Sequence, residues 1–306
     1  MRPLSRVARL ARRVTRPPEI NGLRQLREAV GRIEARQVDS LPMRTLRDRE
    51  FTVYSQAGED GILHWLLTAV PVSRKVFVEF GVGNYQEANT RLLALSEHWS
   101  GLVMDSDPVS VNQIVGDPLH WRMNVKAIQA FITRENINDL LRDNGISGEI
   151  GLLSIDIDGN DFWVFEAIDV VSPAVVVIEY NSRYGPDRSV TIPYDPGFNR
   201  MLAHPSGIYS GASLRALCNL ARRKGYSFVG CNGFGVNAFF VRDDLVNERV
   251  PPCSVADGFV AGQFRESRDA SGGLAWLDPE EERRILTTVP LVTVGDDGRA
   301  QGPQSS

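Results

Sequence analysis

Short apolar runs and amphipathic stretches alternate through the middle of the chain. The runs fall at 75–80, 101–105, 120–125, 150–157, 174–179, 226–231 and 236–241, and their β-branched and aromatic content predicts strands. Between them, Ala88–Glu97, Pro108–Val115, Thr133–Asp143, Phe162–Val171 and Ser213–Lys224 read as helices. Ser55–Asp60 reads as the capped entry to another, with Ile62, Leu63, Leu66 and Leu67 turned inward. This alternation implies an α/β fold with a doubly wound, mostly parallel sheet, and the wholly apolar Ala174–Ile178 suits a strand buried on both faces. The last two runs are joined only by Asn232-Gly233-Phe234-Gly235, too short for a parallel crossover, so an antiparallel hairpin ends the seven-stranded sheet.

Outside this core the pattern changes. Arg2, Arg6, Arg9, Arg12, Arg13 and Arg16 stand among Leu4, Val7, Leu10 and Val14 with no acid, which predicts a basic amphipathic helix ended by Pro17-Pro18. Such a helix suits an anionic membrane surface or a subunit contact. Ile20, Leu23, Leu26, Val30 and Ile33 predict a second helix that packs on this chain or on a partner. The chain therefore divides into a basic helical extension (1–50), a core domain (51–245) and a C-terminal extension (246–306), whose tail from Val294 is polar enough to predict disorder.

The chemistry starts at the first core strand. Glu79-Phe80-Gly81-Val82-Gly83-Asn84 places an acid and two spaced glycines at its end, where absent Cβ atoms would let backbone N–H groups approach a ligand. Asp105 ends the next strand about 20 residues on, the separation at which a carboxylate holds ribose hydroxyls. Gln86 stands where a dinucleotide fold would have its third glycine, which disfavours a pyrophosphate. Glu79 would repel phosphates but attract an ammonium or sulfonium, which favours S-adenosylmethionine; the other reading is that Glu79 caps the turn.

Acids also end the fourth and fifth strands. Asp156, Asp158 and Asp161 crowd one turn, and Glu179 ends the apolar run 174–178. Such repulsion calls for a cation or for hydrogen bonds, and oxygen ligands without nearby cysteine or histidine favour magnesium or manganese over zinc. Asp158 and Asp161 also suit the first turn of the following helix, and Asn181 could satisfy Glu179. The long segment 182–210, rich in Pro and Tyr, reads as an active-site wall, with His204 its one histidine.

Composition narrows the partners. A net charge of -4 over 306 residues argues against nucleic acid. Cys218, Cys231 and Cys253 show neither a disulfide framework nor metal-ligand spacing, and no apolar run is long enough to span a bilayer, so the expected location is cytoplasmic, with the N-terminal helices as a peripheral contact.

Ser55-Gln56-Ala57-Gly58-Glu59-Asp60, the Glu79–Gly83 turn, Asp105-Ser106-Asp107-Pro108 and Ile155-Asp156-Ile157-Asp158-Gly159-Asn160-Asp161 followed by Val177-Ile178-Glu179 resemble the FkbM-like branch of S-adenosylmethionine-dependent methyltransferases over about residues 51–245. The resemblance implies a Rossmann-like class I methyltransferase sheet and an O-methyltransferase of glycans or natural products. It places Gln56, Glu79, Gly81, Gly83, Asp105, Ser106 and Asp156 around the cofactor. Asp156, Asp158 and Glu179 become metal ligands and, with His204, catalytic residues. Two other readings compete: a glycosyltransferase using Asp156-Ile157-Asp158 to clamp the metal of a nucleotide sugar, and a non-catalytic scaffold of the same fold.

Overall fold

The computed structural model describes residues 18–40, 42, 44–263, 266–269 and 271–301. The predicted helix at 1–16 and the last residues of the tail, 302–306, lie outside the described residues. The strands are β1 (Val76–Phe80), β2 (Ser100–Asp105), β3 (Asn124–Gln129), β4 (Gly148–Ile155), β5 (Val171–Glu179), β6 (Val190–Thr191), β7 (Tyr226–Cys231), β8 (Asn237–Arg242) and β9 (Val292–Thr293). The helices are α1 (Pro18–Ser40), α2 (Glu59–Ala69), α3 (Arg91–Ser96), α4 (Pro108–Val115), α5 (Ile137–Asp143), α6 (Asp161–Ala167), α7 (Arg200–Ala203), α8 (Leu214–Arg223), α9 (Val255–Gly258) and α10 (Pro279–Thr288).

Seven strands form one sheet in the order β3-β2-β1-β4-β5-β8-β7. The first five are parallel, and β8 runs antiparallel between β5 and β7. The predicted mostly parallel, doubly wound sheet with its antiparallel end is therefore observed. Successive strand residues serve opposite layers: Phe77, Leu152, Val175 and Phe239 join Leu63, Leu66 and Leu93 on one face, while Val78, Leu153, Val176 and Phe240 join Phe162, Phe165 and Leu217 on the other. Burial on both faces explains the continuous apolar runs. From β1 the chain winds out to β2 and β3 on one side, and β4 and β5 lie on the other, so a crevice opens beyond the carboxyl ends of β1 and β4.

Several elements differ from their predicted positions. The third strand is Asn124–Gln129, not 120–125: Asp117 accepts the Leu119 N–H at 2.7 Å, His120–Arg122 close a single 3-10 turn, and Trp121 is 82% exposed. The helix after β4 stops at Ala167, because the β-branched Val171 already pairs with Gly148. Helices read as starting at Ala88 and Thr133 begin at Arg91 and Ile137.

The described part of the tail is ordered rather than loose. Val294 bridges Ala300, Ser189 Oγ donates to the Val294 carbonyl at 2.8 Å, and Arg222 donates to the Asp296 carbonyl at 2.9 Å. Its backbone carbonyls accept from Ser189 and from α8, which composition alone does not reveal. The second N-terminal helix exists as α1, but it packs through Gly31, against which Val53 lies too closely for any Cβ, and through Val38. Its predicted packing stripe faces outward instead: Leu23, Leu26, Val30 and Ile33 are exposed. Among the described residues, no helix is long and apolar enough to cross a membrane.

Candidate functional site

The turn after β1 is built by close approach. Gly81 has φ +70°, and a Cβ there would stand 1.6 Å from the Asp156 carbonyl oxygen, so the chain leaving β1 passes directly against the chain leaving β4. Gly81 N–H donates to the Met104 carbonyl at 2.9 Å and Gly83 N–H to Asp105 Oδ2 at 2.7 Å, while the other Asp105 oxygen accepts Asp107 N–H at 2.8 Å. These glycine N–H groups thus point to β2 and not, as the sequence suggests, toward a ligand. What the turn leaves free is space, since nothing lies within 4 Å of a Cβ built on Gly83. Asp105 is half-buried, and each of its oxygens retains a lone pair beyond the backbone donor it holds.

Glu79 does not line this space. Its carboxylate is buried under the next loop, accepting Asn89 N–H at 2.8 Å, Thr90 N–H at 3.1 Å and the Thr90 hydroxyl at 2.5 Å. The cofactor contact expected of it gives way to the turn-capping alternative. Burial outweighs those three donors and, with repulsion from Asp60, pushes its pKa from 4.5 up to about 7. A raised folded-state pKa means stability present below the unfolded value and lost as pH rises through the folded one. The stability of the native protein relative to Glu79→Gln should therefore fall between pH 4.5 and about 7, by on the order of 3 kcal/mol, in urea melts. A flat difference across that window would mean that Glu79 folds as the anion.

The loop before α2 is a clamp that presents one side chain. Asp60 Oδ2 accepts the N–H groups of Val53, Tyr54 and Ser55 at 2.6–2.7 Å, bending 53–55 over the helix start. Glu59 accepts Ala57 N–H at 2.7 Å and reaches Asn232 and Asn237 at 2.7 and 2.9 Å, fixing the β7–β8 loop. Gln56, exposed between these anchors, lines the crevice.

The acidic turn follows β4. Asp161 is fully buried, and its oxygens accept Ile157 N–H at 2.8 Å and Gly159 N–H at 2.9 Å, so it shapes the turn; burial lifts its pKa to about 6. Asp158 takes a left-handed φ of +57°. Asp156, Asp158 and Glu179 each present a carboxylate oxygen, all within 4.8 Å of one another. Asp156 opens into the crevice yet is otherwise enclosed by protein: desolvation, then repulsion from Asp161, Asp158 and Glu79, hold its carboxyl well above the usual range, against Arg200. Desolvation, then repulsion from Asp156, Asp161 and Asp158, do so for Glu179. Three hard oxygen donors whose repulsion only Arg200 offsets fit a divalent cation. Beside them Asn160 donates its amide to the Asp195 carbonyl, and its buried Oδ1, also on the crevice, has no hydrogen-bond partner.

The long segment after β5 forms the opposite wall. Phe198 lies on Gly159, where a Cβ would come within 2.3 Å of the ring, and Trp163 donates to the Ile192 carbonyl at 2.9 Å. Strands β6 and β9 pair within this region, an element the sequence did not reveal. Arg200 Nη1 meets Asp158 at 2.8 Å. His204, in contrast, turns its Nδ1 to Ser206 Oγ at 2.7 Å and does not line the cavity; among the described residues no histidine does. The catalytic role expected of His204 has no geometric support, because the wall folds its ring against Ser206.

These walls enclose one cavity of about 800 Å³. Of the residues expected at the site, Gln56, Gly81, Gly83, Asp105, Ser106, Asp156, Asp158 and Glu179 line it, and Glu79 and His204 do not. It also holds residues that the sequence did not single out: Phe131, Asn160, Arg183, Arg200, Glu266 and Arg268. Phe131 follows the displaced strand β3 and is 55% exposed, and the three arginines come from distant segments without a local motif.

No protein-family model and no curated protein matches the chain. Solved structures do. The O-methyltransferase of Bacillus cereus in complex with S-adenosylhomocysteine has 13% identity and a TM-score of 0.36, over 60% of this chain and 78% of that one. TrmK of M. capricolum with S-adenosyl-homocysteine has 10% identity and a TM-score of 0.34, over 68% and 77%. The precorrin-6y C5,15-methyltransferase of Geobacter metallireducens has 16% identity and a TM-score of 0.28; the match covers 39% of this chain and 62% of the length of that protein.

Proposed function

We propose that the protein is an S-adenosylmethionine-dependent O-methyltransferase, of the FkbM-like type that its motifs resemble, acting on a hydroxyl of a glycan or natural product with the help of a divalent cation. The observation that carries this reading is the joining of two halves in one cavity, the Gly83–Asp105 pocket at the end of β1 and β2 and the carboxylate triad at the end of β4 and β5. Asp105 retains acceptor capacity for the two ribose hydroxyls, the open side of Gly83 leaves room beside it, and Phe131 offers a flat exposed ring for a purine.

S-adenosylmethionine, when bound, supplies an electrophilic methyl group. Asp156, Asp158 and Glu179 would hold magnesium or manganese, which lowers the pKa of a bound hydroxyl. Transfer to oxygen is an in-line displacement, so the chain has to position the hydroxyl and take its proton. Asp156, Asp158 and Glu179 face the cavity, where they would orient that hydroxyl directly or through the cation. A nucleotide-sugar clamp would leave the Asp105 pocket without a purpose.

Asp105→Ala should weaken binding of S-adenosylhomocysteine more than tenfold, about 1.5–3 kcal/mol for charge-assisted contacts, measured by calorimetry on protein shown to be folded. Equal affinities would remove Asp105 from the cofactor site, and no binding by either protein would remove the methyltransferase reading.

A further inference from the structure

The cavity wall beyond the triad is cationic. Among the described residues three arginines line it, and all three converge on Glu266: Arg268 meets its carboxylate at 2.8 Å, Arg200 meets it at 3.8 Å, and Arg183 donates to its backbone carbonyl at 2.9 Å. Arg183 is fixed from behind by the half-buried Glu282 at 2.9 Å. Arg200 and Arg268 keep about a third of their side-chain surface, 32% and 35%, open to solvent. Arg200 is also the counter-ion of Asp158.

We propose that Arg183, Arg200 and Arg268 are the subsite for an anionic group, carboxylate or phosphate, carried on the same acceptor as the methylated hydroxyl, and that Glu266 occupies this subsite in the ligand-free protein. The proposal rests on the methyltransferase reading above. Glu266 is half exposed, and exposed ion pairs contribute little, so a substrate anion binding two guanidinium groups can displace it at small cost. A cation taking up the Asp158 carboxylate would leave Arg200 without its closest partner, so that three guanidinium groups face only Glu266 and Glu282. The cluster adjoins the triad through the Arg200–Asp158 pair, which puts the anion beside the residues that would hold the acceptor hydroxyl.

The test is calorimetric titration of the full chain, saturated with S-adenosylhomocysteine and magnesium, with glucose, glucuronate and glucose 6-phosphate. At least one anionic sugar should bind about tenfold more tightly than glucose, and which one does separates carboxylate from phosphate. Arg268→Ala should abolish that preference without changing the affinity for S-adenosylhomocysteine, and Glu266→Gln should strengthen binding of the preferred anion by removing its competitor. Equal binding of the three sugars, binding of none, or weaker anion binding by Glu266→Gln would overturn the subsite. Failure of S-adenosylhomocysteine itself to bind would mark the fault in the methyltransferase reading instead.

Discussion

Gly81→Ala should destabilise the protein by about 2–5 kcal/mol, the sum of about 1–2 for a left-handed non-glycine residue and about 1–3 for overpacking. The added Cβ would lie 1.6 Å from the Asp156 carbonyl oxygen, a backbone atom that can move only if β1 and β4 separate. Because Asp156 is the residue displaced, the triad should open with the fold. Gly83→Ala is the control: its φ of +51° carries the backbone cost, but its Cβ would enter open space. A Gly81→Ala protein that melts within about a degree of the native one would show that these strand ends do not touch.

Removing the charge of Glu179 should separate function from stability. In metal-free protein Glu179, Asp156 and Asp158 repel one another within 4.8 Å, so Glu179→Gln, nearly isosteric, should raise the melting temperature of chelator-treated protein. The native protein should in turn gain about 2.7 kcal/mol from magnesium or manganese at 100-fold excess over the dissociation constant, and the variant should gain almost nothing. An unchanged melt of native protein at saturating metal, or a metal-free variant less stable than native, would make the triad a hydrogen-bonded acceptor site and end the metal assignment.

The sequence reveals most where burial is most complete. β1, β4 and β5 are buried on both faces, so their apolar runs mark them, and the acids that interrupt those runs mark the strand ends on which the cavity opens. Asp156, Asp158 and Glu179 are legible for that reason, and Asp105 by its place at the end of the shorter buried run of β2. Glu79 follows the same rule and has another role, because its orientation is decided by the Asn89–Thr90 loop that folds over it. β3 lies at the sheet edge with a mixed burial pattern, so its run is weak, and placing it early hid Phe131. Arg183, Arg200 and Arg268 meet only through tertiary packing. The ordered stretch 294–301 was hidden because its few apolar residues, Val294 and Ala300, form no run, and hydrogen bonds to Ser189 and α8 hold the rest.

The most direct test of the account is titration of the purified chain with S-adenosylmethionine, S-adenosylhomocysteine and UDP-glucose, with and without magnesium. Both adenosyl ligands should bind one per chain irrespective of metal, since neither Gly83 nor Asp105 belongs to the triad, and UDP-glucose should not compete with them. Magnesium-dependent binding of UDP-glucose, with no heat from either adenosyl ligand, would contradict it.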